Sequence, residues 1–304
     1  MSKIKSFFKN AWEKLQKFKL KHKINFFPIM KFSFLFAVLL FLTFPFYVMV
    51  IASFKDKPDI DNNNILMFPK GWKWENYQEV FGIKNFDFMK YFYNTLLMVI
   101  ISTVLGTLFA VLSAFALSIL NFLFKKTIVT LLFIAMMIAS ETLVLTNFRT
   151  MAKLGMIDTG KGASFPLGVT FAMVLPYLVN VVHVFLIMQA FQRVPKELYY
   201  TSKIDGTTDW EYLWKILIPI TKSSIIVTVI FRTVAAWNAY SWPELIGGEL
   251  LTNMIRKTFD GESGIDKLNL QMAVSVLINL PLLLIFILAK KYIISGENKS
   301  GIKG

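Results

Sequence analysis

The sequence predicts an all-α integral membrane protein with six transmembrane helices and a short helical hairpin on one face. The 304 residues are 55% apolar and include thirty Phe, which is more apolar surface than a water-soluble fold covers. Six apolar segments are long enough to cross about 30 Å of hydrocarbon at roughly 1.5 Å per residue. The predicted crossings are approximately 32–52, 93–119, 127–145, 168–191, 223–243 and 268–289.

The distribution of Lys and Arg predicts the orientation, since six crossings place both termini on one side. The segments on that side carry an excess of basic over acidic residues equal to the whole formal net charge of +14. In the loops of the opposite side, basic and acidic residues are equal in number. Basic loops resist translocation, so both termini are predicted to be cytoplasmic. The positive charge then indicates contact with anionic membrane lipids rather than nucleic acid. There is no Cys, which excludes disulfides and thiolate metal sites.

Residues 1–31 form a basic leader in which apolar residues recur at helical spacing among many Lys. These are Ile4, Phe7, Phe8, Trp12, Leu15 and Phe18. The pattern predicts an amphipathic helix in the cytoplasmic headgroup plane, with a disordered basic tail as the alternative. No cleaved signal is predicted, because the first apolar run is long enough to remain as an anchor. The six-span domain is assigned to 32–294 and a cytoplasmic tail to 295–304.

The first outer segment, 54–92, is polar and turn-rich at first and then strongly aromatic. Its aromatic part contains Trp72, Trp74, Tyr77, Phe81, Tyr91 and Phe92. Such residues are typical of the membrane interface. The alternative, that these aromatic residues help to receive a delivered substrate, stays open.

The cytoplasmic segment 192–222 is the most informative part of the chain. Pro195 suits the first turn of a short helix over 196–203, where a missing N–H has no intrahelical partner to lose. Asp205 and Gly206 then break this helix, because Gly adopts the left-handed conformation that a tight turn needs.

A second helix is predicted to follow that turn. Thr208 and Glu211 have the spacing of a capping box, and Pro219 is expected to end the helix just before the fifth crossing. A simple connector would not need two capped helices with aromatic residues on one side. The hairpin is therefore predicted to enter a groove on a soluble partner.

This segment resembles the signature loop of permease subunits of bacterial ABC importers. In that loop Glu-Ala-Ala is followed by three residues and Gly, then by nine residues and Ile, then by one residue and Leu-Pro. The matching positions here are Tyr200, Thr201, Ser202, Gly206, Ile216, Ile218 and Pro219. Tyr200 stands in place of the family's Glu, which puts any salt bridge to an ATPase in doubt. Glu197 or Asp205 is a candidate substitute.

Other segments resemble the carbohydrate-uptake class of these importers, of which the maltose permease is the best-known type. In chain order they are Trp74–Tyr77 with Tyr93–Thr95, Glu141 followed by Lys153–Thr159, Trp237–Pro243, and the terminal Gly301–Gly304. The resemblance runs from about residue 32 to the last residue and leaves only the leader without a counterpart. It implies the transmembrane domain of a type I ABC importer in a bacterial plasma membrane.

The resemblance also implies partners and a mechanism. Two permease subunits form the pathway, and two cytoplasmic ATPase subunits bind ATP and Mg²⁺. An extracytoplasmic binding protein delivers the substrate. The segment 196–219 would couple the chain to an ATPase, and Gly301 and Lys303 of the tail would reach the ATPase dimer. The coupling candidates are Glu197, Tyr200, Thr201, Ser202, Asp205, Gly206, Ile216 and Pro219.

No ATP site is predicted in the chain itself. The stretch from Gly155 to Gly162 is close to a phosphate-binding loop, but Gly162 replaces the Ser or Thr that would hold Mg²⁺, and no strand precedes it. We therefore expect a transport subunit without catalytic residues, without a metal and without a cofactor of its own.

Arg232 is the principal candidate for the substrate pathway. An Arg at the centre of a span costs about 2.5–3.5 kcal/mol on insertion scales and so needs a partner or water. Two interpretations are open: a pathway residue that meets hydroxyls or a phosphate, with Trp237, Asn238 and Tyr240 at the mouth, or a structural ion pair with Glu141. Neither is favoured by the sequence.

Asn180 and His183 in the fourth crossing are as consistent with hydrogen bonds between helices as with substrate contacts. The substrate predicted from the resemblance is a sugar or related polyol, and glycerol-3-phosphate is the second candidate. A self-contained channel or secondary transporter is the alternative class. Against it, the chain lacks a pair of inverted repeats and a series of intramembrane acids. A membrane enzyme is poorly supported, since no catalytic group can be assembled from residues of the spans.

Overall fold

The structure is a computed structural model that describes residues 26–61, 68–83, 86–157, 167–259 and 268–298. All regular secondary structure in these ranges is helical, which confirms the predicted all-α class. Several predictions fall on residues outside these ranges: the leader helix up to residue 25, the loop at Gly160–Gly162, and the tail residues Gly301 and Lys303.

Fourteen α-helical segments are present in the described ranges. In chain order, α1 to α14 are Phe26–Ser53, Lys57–Asp61, Glu75–Glu79, Phe88–Ser118, Lys125–Met136, Val144–Lys153, Gly168–Val174, Val181–Gln192, Lys196–Ile204, Asp209–Glu211, Ile218–Trp237, Ser241–Leu245, Leu251–Phe259 and Leu268–Asn298. Three short 3₁₀ turns, Val80–Gly82, Ser140–Leu143 and Leu175–Tyr177, and one π-helical turn, Tyr212–Leu217, lie between them.

Within the described residues, four helical segments are long and apolar enough to cross a membrane. They are Met30–Ser53, Phe88–Ser118, Asp209–Leu245 and Leu268–Tyr292. A fifth crossing is formed if the pair Gly168–Tyr177 and Val181–Gln192, which bends by 54°, counts as one span. The predicted membrane protein is thus confirmed in class, but the count of six crossings is not confirmed by the described residues.

The crossing predicted at 127–145 is divided between α5, a 3₁₀ turn and α6. The division has a local cause. The amides of Ile138 and Thr142 bond to carbonyls only three residues back, and the Thr142 hydroxyl donates to the Ala139 carbonyl at 2.7 Å. Such short-range bonds compete with the α-helical pattern and tighten the chain into a turn.

The centre of the bundle is α11, which packs against α4, α8 and α14, while α14 also packs against α1. At the end that carries the hairpin, a buried cluster joins α4 and α8 to the π-helical turn through Phe115, Phe191, Leu213 and Leu217. The outward faces of α1 and α14 expose large apolar side chains. Helices satisfy their own backbone, so such faces suit hydrocarbon or another membrane subunit.

The expected helix end at Pro219 is wrong. The helix that begins at Asp209 continues through the π-helical turn and Pro219 into the fifth span, and this unbroken helical stretch runs from Asp209 to Trp237. The π-helical turn shifts the hydrogen-bond register, so Pro219 occupies one of the first two positions of α11. A proline is tolerated there because its missing N–H would have no partner within that segment.

Candidate functional site

The first helix of the hairpin, α9, ends in a turn that requires one residue in the left-handed backbone conformation. Gly206 has φ +78°, and its amide bonds to the Lys203 carbonyl at 3.1 Å. The next amide, of Thr207, bonds to the Ser202 carbonyl at 3.0 Å. These two bonds form a Schellman motif, which satisfies carbonyls at the end of a helix. The break predicted at Asp205 and Gly206 lies where the sequence places it.

The predicted capping box at the start of the second helix is present. The Thr208 hydroxyl accepts a hydrogen bond from the Glu211 amide at 3.2 Å, and the Glu211 carboxylate accepts one from the Thr208 amide at 3.1 Å. Lys215, one turn later, donates to the same carboxylate at 2.8 Å. The second helix therefore begins at a fixed residue with its first amides satisfied.

Side chains also connect the two helices of the hairpin. The Lys203 ammonium lies 2.7 Å from the Asp209 carboxylate, and the Tyr199 hydroxyl donates to that carboxylate at 2.8 Å. The Tyr199 ring packs edge-on against Tyr212 at 5.0 Å. Burial and the hydrogen bond to Asp209 raise the pKa of Tyr199 to about 12, so its hydroxyl remains a donor at neutral pH.

The tip of the hairpin exposes large apolar side chains. Ile204 is 85% exposed, Trp210 60% and Tyr200 58%, and Leu198 and Trp214 are also exposed. Among the other predicted coupling residues, Glu197, Thr201 and Asp205 are exposed, as is Pro219. Ser202 is buried and donates to the Tyr199 carbonyl, and Ile216 packs against the inner cluster.

A second site surrounds the break in the fourth span. Pro176 has no N–H, so it cannot bond to the carbonyl of Ala172 four residues earlier. The Trp242 indole donates to that carbonyl instead, at 3.0 Å, in a buried position. On the far side of the break, Asn180 accepts hydrogen bonds from the amides of Val182 and His183 and so caps α8.

Arg232 supplies further hydrogen-bond donors at the break. Its side chain is only 3% exposed, and one terminal nitrogen donates to the carbonyls of Tyr177 at 3.1 Å and Leu178 at 2.5 Å. Nε donates to the Ser102 carbonyl at 2.8 Å, and the other terminal nitrogen lies 3.4 Å from His183 Nδ1. The cation therefore lies at the carbonyl end of a half-helix, where positive charge is favourable.

These groups line a cavity of about 260 Å³ between the fourth and fifth spans. Its polar lining consists of Ser102, Tyr177, Asn180, His183, Arg232 and Tyr240. Hydroxyl, amide, imidazole and guanidinium groups on otherwise apolar walls can bind a small polar solute. Buried ionisable residues and irregular backbone at membrane depth are typical of translocation pathways.

The structure separates the predicted pathway residues. Arg232 and Tyr240 line the cavity, whereas Trp237 is 2% exposed and donates to the Ile278 carbonyl on α14 at 3.2 Å. Asn238 donates to the Val234 carbonyl of its own helix. The side chain of Glu141 lies outside the described part of the structure, so the ion pair between Glu141 and Arg232 stays a prediction.

Comparison with known proteins shows which proteins this chain resembles. A family model described as "Binding-protein-dependent transport system inner membrane component" matches residues 106–296. The arabinooligosaccharides transport system permease protein AraQ of Bacillus subtilis is 27% identical over 281 residues, 89% of this chain and 94% of that protein. The sn-glycerol-3-phosphate transport system permease protein UgpE of Brucella abortus is 25% identical, covering 85% of this chain and 91% of that protein.

A solved structure agrees with the fold. A chain in the crystal structure of a bacterial ABC transporter involved in the import of the acidic polysaccharide alginate matches with a TM-score of 0.76. The sequence identity is 18%, and the match covers 89% of this chain and 98% of that chain. Since the family model spans more than half of the residues, the chain belongs to the family of inner membrane components of binding-protein-dependent transport systems.

Proposed function

We propose that this chain forms half of the translocation pathway of an ATP-driven importer for a sugar or related polyol. The observation that carries the proposal is the hairpin, a rigid polar element that exposes apolar side chains and continues directly into the fifth span. Exposed Ile and Trp side chains at the tip of a folded hairpin are suited to a groove on a protein partner.

The hairpin is stiff enough to act as a lever, which here means an element that transmits a displacement of its tip to the fifth span. The Schellman turn, the capping box and the pair formed by Lys203 and Asp209 fix its two helices relative to each other. Its second helix has no loop between Asp209 and the fifth span. A displacement of the tip is therefore transmitted to the membrane helix without a flexible joint, and residues 196–219 couple the chain to an ATPase.

The complete importer contains a second permease subunit and two ATPase subunits that carry ATP and Mg²⁺. An extracytoplasmic binding protein delivers the substrate, and the family's description supports this part of the proposal. The hairpin and both termini lie on the cytoplasmic side, in accordance with the positive charge of those segments. The chain itself performs transport and no catalysis.

The contacts of Arg232 favour an uncharged polyhydroxy substrate over glycerol-3-phosphate. A guanidinium has five N–H donors, and four of them point at Ser102, Tyr177, Leu178 and His183. Bidentate binding of a phosphate needs two free donors on one edge. Glycerol-3-phosphate remains the second candidate, since UgpE is among the relatives of this chain.

The test is reconstitution of the complex that co-purifies with the tagged chain. We expect a second permease and an ATPase to co-purify, and uptake of a radiolabelled sugar to require both ATP and the loaded binding protein. Uptake of labelled glycerol-3-phosphate alone would select the second candidate. Uptake without nucleotide by the purified chain would instead establish a channel or secondary transporter and refute the proposal.

A pair of surface variants tests the docking surface itself. Ile204→Asp places a charge at the most exposed apolar position of the hairpin, where no internal packing is lost. Leu123→Asp is the matched control, because Leu123 is 78% exposed in the loop between α4 and α5. We expect the ATPase to dissociate from the Ile204→Asp complex and to remain with the control. Equal loss from both variants would contradict docking through the hairpin.

A further inference from the structure

We propose that Arg232 is a positioning residue that connects the fifth span to the broken fourth span, so that movement of the hairpin reaches the cavity. The inference rests on the proposed function and adds the route between the lever and the pathway. Arg232 is then a mechanical link between helices rather than a ligand of the substrate.

The first step concerns what the guanidinium holds. It donates to the Tyr177 and Leu178 carbonyls, which end the first half of the fourth span. It also donates to the Ser102 carbonyl of α4 and contacts His183 of α8. One side chain of α11 therefore holds three neighbouring elements, and two of its contacts are with backbone carbonyls at the break.

The second step concerns the space that the Arg232 guanidinium occupies. A Cβ placed on Gly106 would lie 1.8 Å from the Arg232 Cζ. The guanidinium thus occupies the space that a side chain at position 106 would fill, and it packs against the backbone of α4. Because Gly106 has no side chain, the guanidinium can lie close to the backbone of α4, and any larger residue at position 106 forces the guanidinium out of its position.

The third step is continuity. The helix that carries Arg232 is the same helix that begins at Asp209 in the hairpin. Trp242, on the short helix α12 that follows α11 after residues 238–240, holds the Ala172 carbonyl on the other side of Pro176. A shift or rotation of α11 therefore acts on the break directly through Arg232, and through Trp242 by way of residues 238–240. The break forms a wall of the cavity.

The test uses Arg232→Met, Arg232→Lys, Gly106→Ala and the double variant Gly106→Ala/Arg232→Met in the reconstituted complex. Gly82→Ala is the control for the glycine change, because no described residue lies within 4 Å of a Cβ at that position. Thr228→Val is the control on α11, because the Thr228 hydroxyl donates to the Ser224 carbonyl of its own helix and to no other described residue. Substrate imported per ATP hydrolysed, the half-saturating substrate concentration and the amount of assembled complex are measured.

We expect Arg232→Met and Gly106→Ala to lower import per ATP by at least about tenfold, as loss of charge-assisted hydrogen bonds implies. The half-saturating concentration and the amount of complex stay unchanged. Arg232→Lys is intermediate, and the double variant is no worse than Arg232→Met, because Gly106→Ala acts only by displacing the guanidinium. A raised half-saturating concentration with normal coupling would make Arg232 a substrate ligand, and a loss of complex alone would make it merely structural. Either result overturns the inference.

A second readout separates this inference from the proposed function. The chain has no Cys, so Ala235→Cys places a single thiol in the lining of the cavity. Thiols react with maleimides as thiolates and so report access to water. We expect Arg232→Met and Gly106→Ala each to change the alkylation rate by at least about tenfold, and Gly82→Ala to leave it unchanged. If wild type gave no ATP-driven uptake, the proposed function would fail, and an unchanged alkylation rate would independently overturn the role of Arg232.

Discussion

Substitution of Gly206 tests whether the conformation of the hairpin turn determines coupling. Its φ of +78° lies in the left-handed region, and a Cβ there would meet no described residue within 4 Å. The effect of Gly206→Ala is therefore conformational, about 1–2 kcal/mol for a residue with a side chain in this region. Asn tolerates the same region better than Ala does.

Gly206→Pro is the strongest perturbation in this series. Proline fixes φ near −65° and removes the amide that bonds to the Lys203 carbonyl. The combined effect is about 3 kcal/mol or more, which is enough to open the turn. The hairpin lies outside the apolar part of the spans, so insertion and protein level should not change.

The assay is substrate import per ATP hydrolysed in proteoliposomes, with hydrogen exchange of the amides of residues 206–211 as the structural readout. We expect coupling to fall in the order Gly, Asn, Ala, Pro at position 206, with faster exchange in the same order. Normal substrate-stimulated uptake by Gly206→Pro would refute the lever. An Asn variant as defective as the Pro variant would show that a surface contact of Gly206 matters, and not its conformation.

Two further predictions concern single hydrogen bonds. Thr208→Ala removes the acceptor of the Glu211 amide and should destabilise the second helix by about 1 kcal/mol, seen as faster exchange at residues 209–213; Thr208→Ser should retain protection, and equal loss in both variants would contradict the capping role. Trp242→Phe leaves the Ala172 carbonyl without its donor and should lower the free energy of unfolding by about 1–3 kcal/mol. Trp237→Phe should have a smaller effect, because the Ile278 carbonyl that loses its donor lies within the continuous helix α14. The melting temperature of the complex should therefore fall further for Trp242→Phe, and the reverse order would refute the account of the break.

The hairpin could be predicted from sequence because its determinants are local. Gly206, Thr208 and Glu211 act on backbone groups within a few residues of themselves, and the structure has each of their bonds where the spacing indicates. The helix end predicted at Pro219 is wrong because the π-helical turn before it changes the hydrogen-bond register, and no single residue marks such a turn.

The break in the fourth span was not predicted, although Pro176 and Asn180 are visible in the sequence. Uniform apolar character hides a break in a membrane segment, and the groups that satisfy the freed carbonyls are distant along the chain. Arg232 bonds to carbonyls 54 and 55 residues away, and Trp242 to one 70 residues away. The sequence therefore identified Arg232 as a residue in need of partners but could not indicate that these are backbone carbonyls.

The most direct test of the central claim is a crosslink from the tip of the hairpin. Ile204→Cys introduces the sole thiol of the chain at its most exposed apolar hairpin position. In membrane vesicles that contain the assembled complex, a short reagent that carries a maleimide and a photoactivated group should join this residue to an ATPase subunit. An impermeant maleimide added to intact cells should not react with it. Labelling from outside the cell, together with no crosslink to any ATPase, would contradict the account.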